Sequence, residues 1–199
     1  MKIGILISGR GSNMVAIVEA IQSGSIPDSE VVAVISDKTS AEGLIRAKER
    51  RIETLVITRK GRTREEHDAE FVIELKKRDV ELVCLAGYMR LLSSDFIRAF
   101  PNRITNIHPS LLPSFKGLDA QRQAIEYGVK VSGCTVHFVD EDLDHGAIVA
   151  QKTVEVFDND TTETLSARIL EHEHALYIEA LTRIVKRNFE IVGRKVIFR

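Results

Sequence analysis

The 199-residue chain is long enough to bury the core of one domain, and its 44% hydrophobic and 29% charged residues are an ordinary globular balance. Its formal net charge of -1 argues against an electrostatic nucleic-acid binder, since such domains are usually basic. No apolar run approaches the length of a membrane span, and Met1-Lys2 leads directly into a strand-like run rather than into a signal peptide. We therefore expect a cytoplasmic protein with no nucleic-acid or membrane partner.

Apolar runs alternate with amphipathic stretches over the first hundred residues. The patterns predict strands at 2–8, 31–35, 54–57 and 81–86, and helices at 13–22, 41–50 and 64–78. The first strand is apolar almost throughout, which is typical of a strand covered on both faces. Strands that alternate with helices favour a parallel, Rossmann-like sheet with right-handed crossovers.

The second half is less regular. It contains a short apolar run at 104–107, a loop bounded by proline and glycine at 109–117 and a helical pattern at 120–127. Residues 132–139 alternate as a strand with Cys134, Val136 and Phe138 on one side, and 147–156 is predicted to be its antiparallel partner. A capping box at 160–163 predicts a long helix to about residue 187, followed by a hairpin within 189–198. The predicted class is α/β: one domain, 1–199, with a mixed, mostly parallel sheet and helices on both faces.

The cysteines and histidines give no sign of a metal centre. Cys84 and Cys134 are the only cysteines, and each lies in an apolar run, which predicts two buried thiols in a reducing compartment rather than a disulfide or metal pair. His172 and His174 are two residues apart on a predicted helix, so they point in different directions. His137 lies in the middle of a strand and is expected to be structural. We expect no bound metal.

The segment Ser8-Gly9-Arg10-Gly11-Ser12-Asn13 joins the first strand to the first helix. Glycines allow a tight turn and a close backbone approach, and the helix N-terminus offers free amides, so the segment can bind phosphate. It is not a Walker loop, because no Gly-Lys-Ser/Thr follows, and Met14 stands where a dinucleotide fingerprint has its third glycine. The alternative is a glycine turn that serves only the geometry of the strand and helix.

Asn106 and His108 lie two residues apart at the end of a predicted strand, in Asn-Ile-His-Pro-Ser-Leu-Leu-Pro. In an extended chain, residues i and i+2 point to the same side, so an amide donor and an imidazole come together. Such a pair suits an oxyanion or proton-transfer site, although an isolated histidine packed at a strand end is a common alternative. Ser110 lacks an evident base and fits a turn residue better than a nucleophile.

Four acids in five residues make up the stretch 140–144. Such a run is usually a solvated loop. A carboxylate brought near His108 would instead stabilise the imidazolium, which is the kind of pairing that an acid-base role requires.

Taken in order, these segments resemble the folate-dependent formyltransferase family over nearly the whole chain. The segment 8–13 resembles its phosphate loop, 106–113 resembles its Asn-x-His-Pro-Ser-Leu-Leu-Pro signature, and Ala86-Gly87-Tyr88-Met89-Arg90 resembles the stretch that lines its pterin pocket. Asp144 falls in the Leu-Asp-x-Gly setting of the third catalytic residue. Lys116 and Asp119 depart from the pattern of many members, which leaves the conformation of their loop open.

The resemblance implies transfer of the formyl group of 10-formyltetrahydrofolate to the amine of glycinamide ribonucleotide, by direct attack through a tetrahedral intermediate and without a metal. Asn106 and a protonated His108 are the implied donors to the formyl oxygen, and Asp144 is implied to keep His108 charged and to help relay a proton. Residues 1–100 are the implied phosphate-binding half, and residues 101–199 are the implied folate-binding and catalytic half. A monomer or a homodimer is compatible with these features.

The remaining implied site residues bind the two substrates. For the phosphate and ribose they are Gly11, Ser12, Asn13 and Glu173, and for the folate they are Arg64, Met89, Arg90, Leu91, Leu92, Asn106, Val139 and Asp140. Without the resemblance, Glu173 fits a solvated acid on a helix face and Arg64 a helix-surface arginine.

Several alternatives stay open at this point. Methionyl-tRNA formyltransferase and formyltetrahydrofolate hydrolase share the signature but carry extra domains, for which we expect no room in 199 residues. A nicotinamide dehydrogenase would use an acid such as Asp37 at the end of the second strand to bind a ribose, but the broken glycine pattern argues against it. A nucleotide-sensing module that keeps only the phosphate loop would leave Asn106, His108 and Asp144 unexplained.

Overall fold

The computed structural model describes residues 1–199. Its contacts divide the chain into two compact units, Met1–Asn106 and Ile107–Arg199, and the boundary falls within the fifth strand. The organisation of the chain as one domain with halves at 1–100 and 101–199 stays a prediction.

The first unit alternates strands and helices, as its sequence pattern predicts. Its elements are β1 (Lys2–Ile7), α1 (Ser12–Gln22), β2 (Glu30–Ser36), α2 (Glu42–Glu49), β3 (Thr54–Val56), α3 (Arg64–Lys76), β4 (Leu82–Leu85), α4 (Ser94–Ala99) and β5 (Ile104–His108). The strand order is β3-β2-β1-β4-β5, and every neighbouring pair in it is parallel.

The central strand β1 explains the stability of this sheet. Ile5, Leu6 and Ile7 are all fully buried, although successive side chains of a strand point to opposite faces. Both faces of β1 are therefore covered, which confirms the prediction made from its nearly continuous apolar run. Parallel order also brings the carboxyl ends of neighbouring strands to one edge, where the loops after β1, β2 and β4 meet.

The second unit is built on a mainly antiparallel arrangement. Its elements are α5 (Ala120–Tyr127), β6 (Val131–Phe138), β7 (Ile148–Glu155), α6 (Thr162–Lys186), β8 (Phe189–Val192) and β9 (Lys195–Phe198). β6 and β7 pair antiparallel, β7 and β9 pair parallel, and β8 and β9 form the predicted terminal hairpin. The long helix α6 packs on β6 and β7 through a stripe that includes Leu165, Ile169, Tyr177 and Leu181, all fully buried.

Four details differ from the sequence prediction. The sequence pattern gave β6 one apolar side and did not predict that Thr135 and His137 on its other face are also buried. The capping box of α6 joins Thr161 and Thr164 instead of spanning 160–163, because Asp160 is engaged by Arg168. Helix α4 was missed, since its six residues are too few to show a helical period. The fourth difference is small: most predicted elements begin or end one or two residues away from their observed bounds.

Cys84 and Cys134 are buried thiols, as predicted. Burial, with a smaller contribution from Glu173, raises the pKa of the Cys134 thiol to about 12. None of the helices combines the length and the apolar character that crossing a membrane requires.

Candidate active site

The predicted phosphate loop lies between β1 and α1 in the first unit. Gly11 precedes the helix with φ +72°, and a Cβ there would lie 2.8 Å from the Cα of Gly43 on α2, so the turn requires glycine. No side chain caps α1, and its first turn holds no acid, so the positive end of the helix dipole is not offset locally. Met14, at the third position of the incomplete fingerprint, is fully buried and packs in the core instead.

Four of the predicted folate residues line one open cavity of the first unit. The cavity has a volume of about 570 Å³, and Arg64, Met89, Arg90 and Leu91 contribute to its wall, whereas Leu92 does not. Met89 is 61% exposed and Leu91 57% exposed, so two apolar side chains are presented to solvent beside cationic groups. The acids Glu65 and Asp68 also line the cavity, so the surface suits a ligand with an apolar body and polar ends.

Behind this wall, Asp37 forms a buried polar cluster. Its Oδ1 accepts a hydrogen bond from the Ser8 hydroxyl at 2.7 Å, and its Oδ2 accepts one from Arg90 Nε at 2.6 Å. The Ser8 Oγ in turn accepts a hydrogen bond from the Met89 amide at 2.9 Å. The Asp37 side chain is only 1% exposed, which leaves it unable to meet the ribose that the dehydrogenase alternative requires.

The second unit places His108 between two oxygen acceptors. His108 is 4% exposed; its Nε2 lies 2.8 Å from the Phe115 carbonyl oxygen, and its Nδ1 lies 3.3 Å from Asp144 Oδ2. A carbonyl and a carboxylate can only accept, so both ring nitrogens are best served when both carry hydrogen. This geometry fits the imidazolium form that the predicted role of His108 requires.

Asp144 is held in place by backbone groups. Its Oδ2 accepts a hydrogen bond from the Gly117 amide at 2.8 Å, and its own φ of 44° lies in the left-handed region that aspartate tolerates. Two residues later, a Cβ at Gly146 would lie 2.0 Å from the Phe138 carbonyl oxygen, which explains the glycine that closes the acidic loop. Asp140, at the start of the same loop, accepts a hydrogen bond from His145 Nδ1 at 2.8 Å.

His137 lies on the other side of Asp144. Its Nδ1 donates to the Phe138 carbonyl at 2.8 Å, and its Nε2 lies 3.8 Å from Asp144 Oδ1. Burial lowers the pKa of His137, and the opposing effects of the Phe138 carbonyl and Asp144 are smaller. The lowered pKa favours the neutral form of His137, which is compatible with the structural role expected for it.

The segment after His108 is fixed by a buried threonine on β6. Thr135 Oγ1 donates to the Ser110 carbonyl at 2.7 Å and accepts from the Leu112 amide at 3.0 Å. Gln151 on β7 donates to the Leu112 carbonyl at 2.9 Å and to Thr135 Oγ1 at 3.0 Å. The Ser110 hydroxyl donates to the Ser114 carbonyl, as expected for a turn residue.

The burial of Glu173 excludes one of the two interpretations of this residue. It lies on α6 as predicted, but it is only 8% exposed, so it is not the solvated helix-face acid that its sequence context also allowed. Its charge contributes to the raised pKa of Cys134. A buried carboxylate is costly to retain without a role or a partner.

The structure therefore brings together His108 with Asp144 in the second unit, and Arg64 with Met89, Arg90 and Leu91 in the first. Asn106 lies on β5, two residues before His108, as predicted. Sequence reasoning missed Thr135, the Phe115 carbonyl and the Gly117 amide. Two of these are backbone groups that leave no trace in residue type, and a threonine within a strand is ordinary.

Comparison with known proteins agrees with the fold and the motifs. The structure matches the crystal structure of glycinamide ribonucleotide transformylase 1 from Symbiobacterium toebii with a TM-score of 0.97 and 48% identity, covering 100% of this chain and 93% of that one. The predicted α/β class with a mixed, mostly parallel sheet is confirmed.

The family of the chain follows from its sequence matches. The Formyl transferase family matches residues 1–181, so the chain belongs to that family, as its motifs predicted. Phosphoribosylglycinamide formyltransferase of Haemophilus influenzae is 44% identical over 177 residues, 88% of this chain and 83% of that protein. The trifunctional purine biosynthetic protein adenosine-3 of Chironomus tentans is 47% identical over 182 residues, 90% of this chain, but the chain covers only 13% of that longer protein.

Proposed function

We propose that the chain is a folate-dependent phosphoribosylglycinamide formyltransferase. It transfers the formyl group of 10-formyltetrahydrofolate to the amine of 5′-phosphoribosylglycinamide, giving formylglycinamide ribonucleotide and tetrahydrofolate in purine biosynthesis. The observation that carries the proposal is the buried His108, which has Asp144 beside Nδ1 and the Phe115 carbonyl beside Nε2. The names of similar proteins of comparable length support the same reaction.

The proposed chemistry needs no covalent intermediate. The amine attacks the formyl carbon, and negative charge develops on the formyl oxygen. Because Asp144 faces Nδ1 of His108, the opposite nitrogen, Nε2, is the donor to this oxygen, which takes the place of the Phe115 carbonyl. Asn106 supplies a second donor. Preorganised donors of this kind stabilise a transition state more than a ground state.

Asp144 has two proposed tasks. It stabilises the positive charge of His108, and it helps to relay the proton from the attacking amine to the folate nitrogen that leaves. Its hydrogen bond from Gly117 and its backbone conformation hold the carboxylate where both tasks are possible.

The proposed binding residues are those expected from the family motifs. The loop residues Gly11, Ser12 and Asn13 bind the phosphate at the uncapped end of α1, and Glu173 binds the ribose hydroxyls. The folate meets Arg64, Met89, Arg90, Leu91 and Leu92 of the first unit, with Asn106, Val139 and Asp140 as further contacts. Its anionic tail lies beside Arg64 and its pterin beside the segment 86–92. The protein is proposed to act in the cytoplasm, as a monomer or homodimer, on small molecules alone.

The test is formyl transfer from 10-formyltetrahydrofolate to phosphoribosylglycinamide, followed by folate absorbance. His108→Ala and Asp144→Asn should each lower kcat about 10²- to 10³-fold, the range found when one preorganised donor is removed. His172→Ala is the matched control, because His172 is a part-exposed histidine on α6 with no proposed role in the reaction, and it should retain wild-type turnover.

Three outcomes separate the parts of the proposal. Turnover that survives both site variants would refute the catalytic roles of His108 and Asp144 but not the substrates. Folate binding without turnover would reject phosphoribosylglycinamide as the acceptor and point to a different amine. Absence of both folate binding and turnover would overturn the assignment and favour a nucleotide-binding module.

A further inference from the structure

Asp37 has no part in the proposed reaction, yet it is a buried carboxylate at the end of β2 with both oxygens engaged. The two donors, the Ser8 hydroxyl and Arg90 Nε, come from segments far apart in the sequence. Hydrogen bonds that include a charge are stronger than neutral ones, so this cluster is a strong local constraint. Because the cluster lies directly behind the segment 86–91, that segment is what it constrains.

The cluster fixes the orientation of the Ser8 hydroxyl. Because Ser8 donates its hydrogen to Asp37, its oxygen lone pairs are free to accept, and one accepts from the Met89 amide at 2.9 Å. The Ser8 amide donates to the Gly87 carbonyl at 3.1 Å. Ser8 therefore holds the segment 87–89 from both its amide and its hydroxyl, while Asp37 directs the hydroxyl.

The same carboxylate holds the next residue, Arg90, through its guanidinium. Met89 and Leu91 on either side are largely exposed, and no helix or strand includes residues 86–92. Exposed irregular segments with few buried contacts are normally mobile. Tyr88 is buried and packs edge-on against Phe71, with ring centroids 5.9 Å apart, so it anchors the middle of the segment. The polar cluster is what holds the exposed residues that follow it.

We propose that Asp37 is a positioning residue for folate binding, which acts through Arg90 and through the Ser8–Met89 hydrogen bond. The inference rests on the proposed function, because it takes the segment 86–92 as the wall of the pterin site. Asp37 touches neither the substrate nor the reacting atoms. Its loss lets the segment relax and weakens binding of the folate, while the chemistry at His108 continues once the folate is bound.

The substitutions Asp37→Asn and Asp37→Ala remove one or both of the hydrogen bonds that Asp37 accepts from Ser8 and Arg90. Aspartate accepts from Ser8 and Arg90 at once, whereas asparagine has one acceptor oxygen and can serve only one of them. Alanine removes both bonds. Loss of a charge-assisted hydrogen bond is of the size that changes an equilibrium constant about tenfold.

In steady-state assays, Asp37→Ala should raise KM for 10-formyltetrahydrofolate about tenfold, with kcat and KM for the ribonucleotide within about twofold of wild type. Asp37→Asn should give an intermediate KM. Glu30→Gln, at the exposed start of the same strand, is the control and should change neither constant. An unchanged folate KM in Asp37→Ala, or an equal fall of kcat in both Asp37 variants, would overturn the positioning role.

Amide hydrogen exchange tests the cluster without using the reaction. The Met89 amide should exchange faster in Asp37→Asn than in wild type, while the Ala86 amide, which donates to the Leu6 carbonyl, should be unchanged. A protein that lacks formyl transfer but shows this exchange difference would refute the proposed function and leave the cluster intact. Equal Met89 exchange in both proteins would refute the positioning role even if the enzyme is active.

Discussion

Thr135→Val tests whether the buried hydroxyl of β6 holds the segment that follows His108. Valine keeps the shape of threonine but replaces the hydroxyl by a methyl group. Two buried backbone groups then lose their partner: the Ser110 carbonyl at 2.7 Å and the Leu112 amide at 3.0 Å. Each unsatisfied buried group costs about 1–3 kcal/mol, so the loss of two partners should lower the free energy of unfolding by roughly 2–6 kcal/mol.

The assay is urea unfolding followed by circular dichroism, together with kcat for formyl transfer. A loss of this size corresponds to a fall in Tm of about 4–24 °C for a chain of this length. Thr153→Val on the exposed face of β7 is the matched control and should change stability by less than about 0.5 kcal/mol. If the two variants were equally stable, the hydroxyl of Thr135 would not be what anchors the segment.

Three further predictions follow from the backbone, the histidines and the thiols. Gly11→Ala should destabilise more than Gly24→Ala in urea unfolding, because both glycines have positive φ, costing about 1–2 kcal/mol, but only a Cβ at Gly11 meets other atoms; equal losses would contradict the close approach. Burial lowers the pKa of His137 below its usual 6.5, so the unfolded chain binds a proton more readily and stability falls as pH drops from about 7.5 to 5.5; His137→Gln should show a smaller shift of the urea midpoint over that range, and an identical shift would contradict this linkage. Neither Cys84 nor Cys134 should react with a disulfide reagent at pH 8 in the folded protein, and both should react in urea; rapid labelling of the folded protein would show that the thiols are accessible.

The fold could be predicted largely from local patterns. The apolar run of β1 and the alternation of strands and helices predicted a parallel sheet, and the pattern of residues 189–198 predicted the hairpin of β8 and β9. The prediction failed where tertiary packing decides. Both faces of β6 are buried because α6 covers one of them and because polar Thr135 and His137 are satisfied on the other, and neither condition can be seen in an alternating sequence.

The candidate site also contains residues that could be predicted from the sequence and groups that could not. His108 and Asp144 were predicted from side-chain chemistry and family motifs, and the structure places them 3.3 Å apart. The groups that position them are mainly backbone atoms, such as the Gly117 amide, and the contacts of such atoms cannot be predicted from residue type. Asp37 was singled out for a ribose that its burial prevents it from reaching, because the sequence does not show that Arg90 folds against it.

The hydrogen bond from His108 to the Phe115 carbonyl has a consequence for ligands. In the folded protein, the imidazole edge that would meet a substrate oxygen is already occupied by an oxygen of the same chain, 2.8 Å away. Any molecule that binds at this edge must first displace the Phe115 carbonyl. The apparent affinity of that molecule equals its intrinsic affinity multiplied by the fraction of protein in which the carbonyl is withdrawn from His108. A substitution that favours withdrawal would tighten binding of such a molecule without adding a contact to it.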